Sequence, residues 1–200
     1  IDRVCLFIKA IGIHDVDRFD FIDPPPTEIV HQSLYSLWLL GALDDTGKLT
    51  ERGRQLAALP VEPAMGTVLL TSKDYRCSKE CLNIAAMLSV DTRALFAVPR
   101  DKEDEARAAR DQYVDLKSDH ITLHNLLSRF LHEAEVNGGE VGARRWAERT
   151  FLSFSVLKTA VGIRDQLHQQ VGKLLFSSSS SSAFSGQESD NNNTSSRLQN

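Results

Sequence analysis

Proline and glycine punctuate residues 1–60 so closely that they leave the chain few ways to fold there. Pro24-Pro25-Pro26 cannot lie inside a helix but can lead into one. Directly after it, Val30, Leu34, Leu37 and Trp38 recur at helical spacing, predicting a helix over 28–38 that Gly41 ends. Residues 42–49 must then reverse the chain. Asp44-Asp45-Thr46-Gly47 is turn chemistry, with Gly47 free to take the positive φ of a tight hairpin between two short strands. Thr50 can cap a following helix that stops at Pro60.

Helix, tight hairpin, helix is the outline of a winged helix. Residues 1–10 supply its first helix, closing at Gly12. Past Pro60 every pattern is helical: 63–74, 79–90 with Ser78 as cap, a charged Ala-rich stretch at 101–116, and 120–134 with Asp119 as cap. The 120–134 stripe is Leu123, Leu126, Leu127, Phe130, Leu131 and Ala134. Gly138-Gly139 breaks the chain, and one long helix is expected from 142 to 175. Trp38, Trp146, Phe130, Phe151 and Phe154 fall on these stripes and read as core. The fold class expected is mainly α: a winged helix with a small β-hairpin over 1–60, a helical bundle over 61–176, and a tail over 177–200.

Composition sets the tail apart. Ten of the residues from Ser177 to Asn200 are Ser, and most others are Asn, Gln, Gly or Asp. Such a stretch buries too little apolar area to offset its chain entropy, so it is expected to be disordered. Asn192-Asn193-Thr194 reads as an accidental glycosylation sequon. The chain opens on Ile1 without an initiator Met or a secretory leader, and reads as a piece of something longer. No apolar run is long enough to span a bilayer. Three cysteines are too few and too odd for a disulfide framework. A net charge of −4 excludes a bulk basic nucleic-acid binder, though not a local basic face.

Catalytic chemistry has little to stand on. A phosphate-cradling loop needs Gly, four residues, then Gly-Lys and a hydroxyl residue. At Gly47-Lys48 the first Gly is Ala42 and the hydroxyl is Leu49, and Leu174 follows Gly172-Lys173. No nucleophile elbow occurs. His120 and His124 share a helix face, as do Cys77 and Cys81, but neither pair has an evident third ligand, and both read as structural. No catalytic residue and no metal ligand is assigned.

Several ordered motifs resemble one family. Phe19-Asp20-Phe21-Ile22-Asp23-Pro24-Pro25-Pro26 comes first, then Leu40-Gly41-Ala42-Leu43-Asp44 and Leu59-Pro60-Val61-Glu62-Pro63. Cys77-Ser78-Lys79-Glu80, Ala85-Ala86-Met87-Leu88-Ser89-Val90, Pro99-Arg100-Asp101-Lys102 and Ser118-Asp119-His120-Ile121-Thr122-Leu123 follow. Trp146, Phe151 and Val161-Gly162-Ile163-Arg164-Asp165-Gln166-Leu167 close the series. Over about residues 1–168 the chain resembles the segment after the second RecA-like lobe of DEAH-box RNA helicases, the pre-mRNA-splicing type most closely. The resemblance implies a winged helix followed by the helicase-associated (HA2) ratchet domain. It implies an ATP-dependent helicase acting in the nucleus, with the cytoplasm as the alternative, whose ATP and Mg²⁺ belong to RecA-like lobes outside this chain. It implies single-stranded RNA as partner, with the ratchet as one wall of its channel. The RecA-like lobes and an oligonucleotide-binding barrel of the same protein are implied as further partners, together with a glycine-patch activator, and no membrane. The alternatives are a winged-helix protein-docking module, or a catalytically dead homologue, that never touches RNA.

In that family, polar side chains near the Met-Leu-Ser-Val motif face the RNA backbone, which points to Ser89 and Thr92. Asp91 and Thr92 stand where the family has an Asn. Charge adds a second candidate region. Residues 140–176 hold six basic residues (Arg144, Arg145, Arg149, Lys158, Arg164, Lys173) against three acidic ones, so a phosphate-facing surface is expected there, with Arg145 and Arg149 as its RNA-binding candidates.

Without a phosphate-cradling loop, the chain by itself should release no phosphate from ATP, with or without RNA. RNA-stimulated phosphate release by a homogeneous preparation would contradict this.

Overall fold

The computed structural model describes residues 1–181, with side chains described through Leu175. Ten helices follow one another: α1 Asp2–Ala10, α2 Thr27–Leu39, α3 Glu51–Ala57, α4 Pro63–Thr71, α5 Ser78–Leu88, α6 Thr92–Leu95, α7 Glu103–Asp111, α8 Asp119–Val136, α9 Glu140–Arg149 and α10 Phe154–Ser181. The fold is mainly α, as the patterning predicts.

In the N-terminal part, α1 packs on α2 and α3. Gly12 and Gly41 end α1 and α2 at φ +98° and +71°. Each donates its N–H back into the last turn, Gly12 to Lys9 and Gly41 to Trp38, while the next residue donates to the carbonyl one residue earlier, Ile13 to Ile8 and Ala42 to Leu37. The expected hairpin is present in minimal form. Its strands reduce to one antiparallel bridge, Leu43 with Leu49. The turn is held by Asp44 instead, whose Oδ1 accepts from Thr46 N, Thr46 Oγ1 and Lys48 N at 2.7–2.9 Å. These donors, the Thr46 hydroxyl first, hold the Asp44 carboxyl below its usual range. Thr50 Oγ1 then accepts from Gly53 N at 2.9 Å and starts α3.

Two apolar cores follow, and neither is confined to a contiguous stretch of chain. The first gathers Leu6, Leu37, Leu56 and Leu69 with Leu82 and Ala85 of α5, and adds Leu167 and Val171 from α10. The second gathers Met87, Leu127, Phe130, Trp146, Leu152 and Leu157. The two meet on α5, between Ala85 and Ala86, and on α10, where Ile163 touches both.

Several local expectations are corrected. The long helix expected from 142 to 175 is two helices. Phe151 adopts φ +53°, Phe151 N donates to Glu148 O, and Leu152 N donates to Ala147 O, so α9 ends in the manner usually reserved for Gly. The break is fixed from outside: Phe96 pairs with Leu152, Ala97 N donates to Phe151 O, and Ser153 N donates to Leu95 O. Ser118, not Asp119, caps α8, and Cys77 precedes α5 where Ser78 was expected. The charged helix α7 is shorter than 101–116, because it buries only Ala106 and has little apolar face to extend. Trp38 is not core. It is 42% exposed, stacks on Tyr35, and donates Nε1–H to Asp45 at 2.9 Å. The helix α10 runs to Ser181, five residues into the segment expected to be disordered, since extending an existing helix needs no new nucleus. The rest of that segment, 182–200, lies outside the described residues.

Gly53 sits inside α3 because a Cβ there would lie 2.2 Å from the Ala42 carbonyl oxygen. Gly162, inside α10, has no described atom beyond its chain neighbours and the backbone of its own helix within 4 Å of that position. Gly53→Ala should therefore lower stability by about 1–3 kcal/mol despite its helix propensity. Gly162→Ala should raise stability by about 0.5–1 kcal/mol. Urea unfolding of both variants checks the contrast, and equal effects would mean the hairpin does not press on α3.

Candidate nucleic-acid interface

The four candidate residues occupy two separate places. Ser89 is the C-cap of α5 and Thr92 the first residue of α6, both exposed. Arg145 and Arg149 lie one turn apart on the exposed face of α9. Among the described residues, no hydrogen bond or ion pair joins the two places.

Ser89 is occupied. Its Oγ donates to the Ala85 carbonyl at 2.7 Å, closing the last turn of α5. A phosphate oxygen only accepts, so Ser89 reaches one only by giving up that bond. Thr92 follows Asp91, whose carboxylate accepts from Arg93 N at 2.9 Å and caps α6. The negative charge at Asp91 is therefore tied to the backbone beside both hydroxyls.

Arg145 and Arg149 make no ion pair within 4 Å among the described residues. Of the other four cations of this region, three are engaged, and Lys173, on the exposed side of α10, makes no hydrogen bond or ion pair among the described residues. Arg144 lies 4.1 Å over the Phe154 ring and 3.7 Å from Glu140. Lys158 Nζ donates to Glu140 at 3.0 Å, and Arg164 Nε donates to Asn83 Oδ1 at 2.9 Å. The net positive charge legible in the sequence thus reduces, at the surface, to the Arg145 and Arg149 guanidinium groups on α9 and the Lys173 ammonium far along α10.

The two guanidinium groups line a groove between α8 and α9 together with Glu133, Asn137, Gly142 and Glu148. Helix α9 can come this close to the end of α8 because residue 142 is Gly. A Cβ there would sit 2.2 Å from the Asn137 carbonyl oxygen. Glu133 is only 3% exposed and is fully partnered. Asn137 Nδ2 donates to one of its oxygens and Arg129 Nη2 to the other, each at 2.5 Å. The Asn137 hydrogen bond first, then the Arg129 guanidinium, hold its carboxyl below the ordinary range. Arg149 acts on it in the same direction through space. Nothing in the sequence singled out Glu133, since one acidic position in an apolar stripe carries no signal until its partners are known.

The other two pairs differ in their surroundings. His124 Nδ1 lies 3.3 Å from Asn83 Nδ2, and its Nε2 lies 3.4 Å from Ser128 Oγ. Cys77 and Cys81 have their sulfurs 3.7 Å apart. Among the described residues, no three His, Cys, Asp or Glu side chains cluster to hold a metal ion, and no helix is long and apolar enough to cross a membrane.

Comparison with known proteins agrees with this architecture. Residues 33–61 match the helicase-associated (HA2) winged-helix domain, and residues 62–123 match the ratchet-like helicase-associated (HA2) domain. The pre-mRNA-splicing factor ATP-dependent RNA helicase prp22 of Schizosaccharomyces pombe is 37% identical over 168 residues. The alignment covers 84% of this chain and 14% of that protein.

A carboxyl with a depressed folded-state pKa stabilises the fold above the ordinary carboxylate range, and that stabilisation is lost as pH falls through the folded value. Wild type should therefore exceed Glu133→Gln in stability at pH 7. The gap should narrow below about pH 4.3, the ordinary value for Glu. Denaturant midpoints measured from pH 7 to pH 3 check this, and a constant gap would show that the ionisation of Glu133 plays no part.

Proposed function

Since the chain belongs to the DEAH-box RNA helicases as their helicase-associated winged-helix and ratchet segment, we propose that it serves an ATP-dependent RNA helicase of pre-mRNA splicing in the nucleus. The observation that carries the reading is the 37% identity to a splicing helicase over 168 residues, a span that includes both family-matched domains. In this reading the ratchet forms one wall of a single-stranded RNA channel. The winged helix joins that wall to the RecA-like lobes, where ATP and Mg²⁺ bind. An oligonucleotide-binding barrel of the same protein and a glycine-patch activator complete the set of partners.

The arrangement of charge supports an RNA contact that holds the backbone without reading bases. Arg145 and Arg149 are exposed and make no ion pair among the described residues, and a guanidinium meets phosphate whatever the sequence. The Ser89 and Thr92 hydroxyls add contacts of small net free energy, since water competes for both partners.

A docking role without RNA is the second reading, and one observation favours it. Helix α1 exposes Val4 and Phe7, Ile11 just past its end is exposed too, and Val4 and Phe7 border an apolar groove closed by Leu56, Leu59 and Pro60. On the first reading this face meets another part of the same helicase. On the second it is the functional surface.

Salt separates the two. The logarithm of affinity for a single-stranded oligouridylate, plotted against the logarithm of salt, should fall linearly for this chain. Arg145→Ala/Arg149→Ala should flatten that slope by roughly 0.7 for each charge removed. Ser89→Ala should leave the slope unchanged, because a hydroxyl releases no counterion. Three parallel lines would remove α9 from the RNA channel, and no binding at low salt would favour the docking reading.

A further inference from the structure

Cys77 and Cys81 take no part in the candidate RNA interface. Cys77 is the residue before α5, and Cys81 lies one turn along the helix on the same face. Their sulfurs are 3.7 Å apart, and both thiols are half-buried and free of disulfide. Cys77 is held in place from two sides. Its N–H donates to the Ser72 carbonyl at 3.0 Å, and its Sγ–H points at that same oxygen at 3.7 Å. The turn before it is fixed by Arg76, whose φ is +54°. A dithiol is thus presented by backbone that is already ordered.

The sulfur separation selects among the fates open to two thiols. A disulfide needs its sulfurs at about 2.05 Å and its Cβ atoms about 3.5–4.5 Å apart. Residues one helical turn apart have Cβ atoms about 5–6 Å apart, so closing that bond would distort the first turn of α5. A single atom bridging both sulfurs requires no such movement. A centre that bonds sulfur at about 2.3 Å, with valence angles between about 95° and 110°, holds two sulfurs about 3.4–3.8 Å apart.

We propose that Cys77 and Cys81 form a binding site for a trivalent arsenical, which the two sulfurs chelate through its arsenic atom. The reaction is a condensation. In R–As=O the arsenic–oxygen bond is replaced by two arsenic–sulfur bonds, the two thiol protons leave with the oxide oxygen as water, and arsenic stays trivalent. No oxidant or reductant takes part. A divalent cation is a poorer match on two grounds. Among the described residues there is no third side chain of metal-ligand type to complete its shell. It would also have to displace a proton held firmly on Cys81: burial first, and then the hydrogen bond with the Cys77 sulfur, push that thiol up to about 11. The arsenical oxide carries both protons away itself. Glu80, the other charged group acting on Cys81, adds negative charge and so opposes thiolate formation further, without touching the condensation. The third cysteine, Cys5, is fully buried in the first core and cannot compete.

Because α5 belongs to both cores, a clip on its first turn braces the helix they share. Phenylarsine oxide added to the 200-residue chain should leave one phenylarsenic group per molecule, found by mass spectrometry on the peptide holding both cysteines. The adduct should survive excess 2-mercaptoethanol and be released by dithiothreitol. It should raise the melting temperature of wild type, and its affinity should fall at least tenfold in denaturing urea, where the spacing persists but the helix does not. Cys77→Ser and Cys81→Ser should each lose the monothiol-resistant adduct. An adduct that 2-mercaptoethanol removes, two arsenic atoms per chain, attachment at Cys5, retention by either single variant, or equal affinity in urea would each overturn the proposal. The mapping and thiol-competition results on wild type stand even if a variant fails to fold.

Discussion

Helix α5 depends on one buried amide. Asn83 is fully buried, and a side-chain amide without partners there would destabilise the fold by about 1–3 kcal/mol. Its Oδ1 accepts from Arg164 of α10, its Nδ2 donates to Ser128 of α8, and His124 lies 3.3 Å from the same nitrogen. Three helices are thereby held in one register at the place where the two cores meet. Apolar contacts alone would let α5 slide or turn against its neighbours, because the hydrophobic effect has no direction. The amide supplies the direction.

The two-core arrangement follows from that register. Leu82 and Ala85 face the first core and Met87 the second, so α5 is buried nearly all round, as a central helix must be. Helix α10 is shared in the same way, with Leu157 in one core and Leu167 in the other. Movement of the N-terminal part against the C-terminal part must therefore pass through two continuous helices. That is a physical basis for the proposed coupling between a winged-helix hub and a ratchet wall. The break at Phe151 sets where α10 begins, and its pairing with the end of α6 ties the residues just past Thr92 to the end of α9.

The candidate interface was less legible than the fold. Sequence shows that residues 140–176 are net basic, but a count of charges does not show which are spent within the protein. Arg164 faces inward to Asn83, Arg144 lies on Phe154, and Lys158 pairs with Glu140. Arg145, Arg149 and Lys173 are left, the first two beside a buried carboxylate that no periodicity reveals. Ser89 was found through its motif, yet the motif does not show that its hydroxyl already closes a helix. Such assignments depend on partners far away in sequence.

Local chemistry determined much of the chain by itself. Gly12 and Gly41 end helices, Thr50 begins one, and Asp44 with Gly47 makes a turn, because the interactions responsible lie within a few residues of each other. The apolar stripe of α8 fixed its inner face for the same reason. Tertiary structure decided the rest. Phe151 takes a left-handed conformation that its own side chain disfavours, because residues 95–97 pair across the break and Leu152 is buried behind it. Trp38 lies on a helical stripe but stays at the surface, where Tyr35 and Asp45 satisfy it. A stripe shows which side chains share a face, and only the packed neighbours decide whether that face is covered.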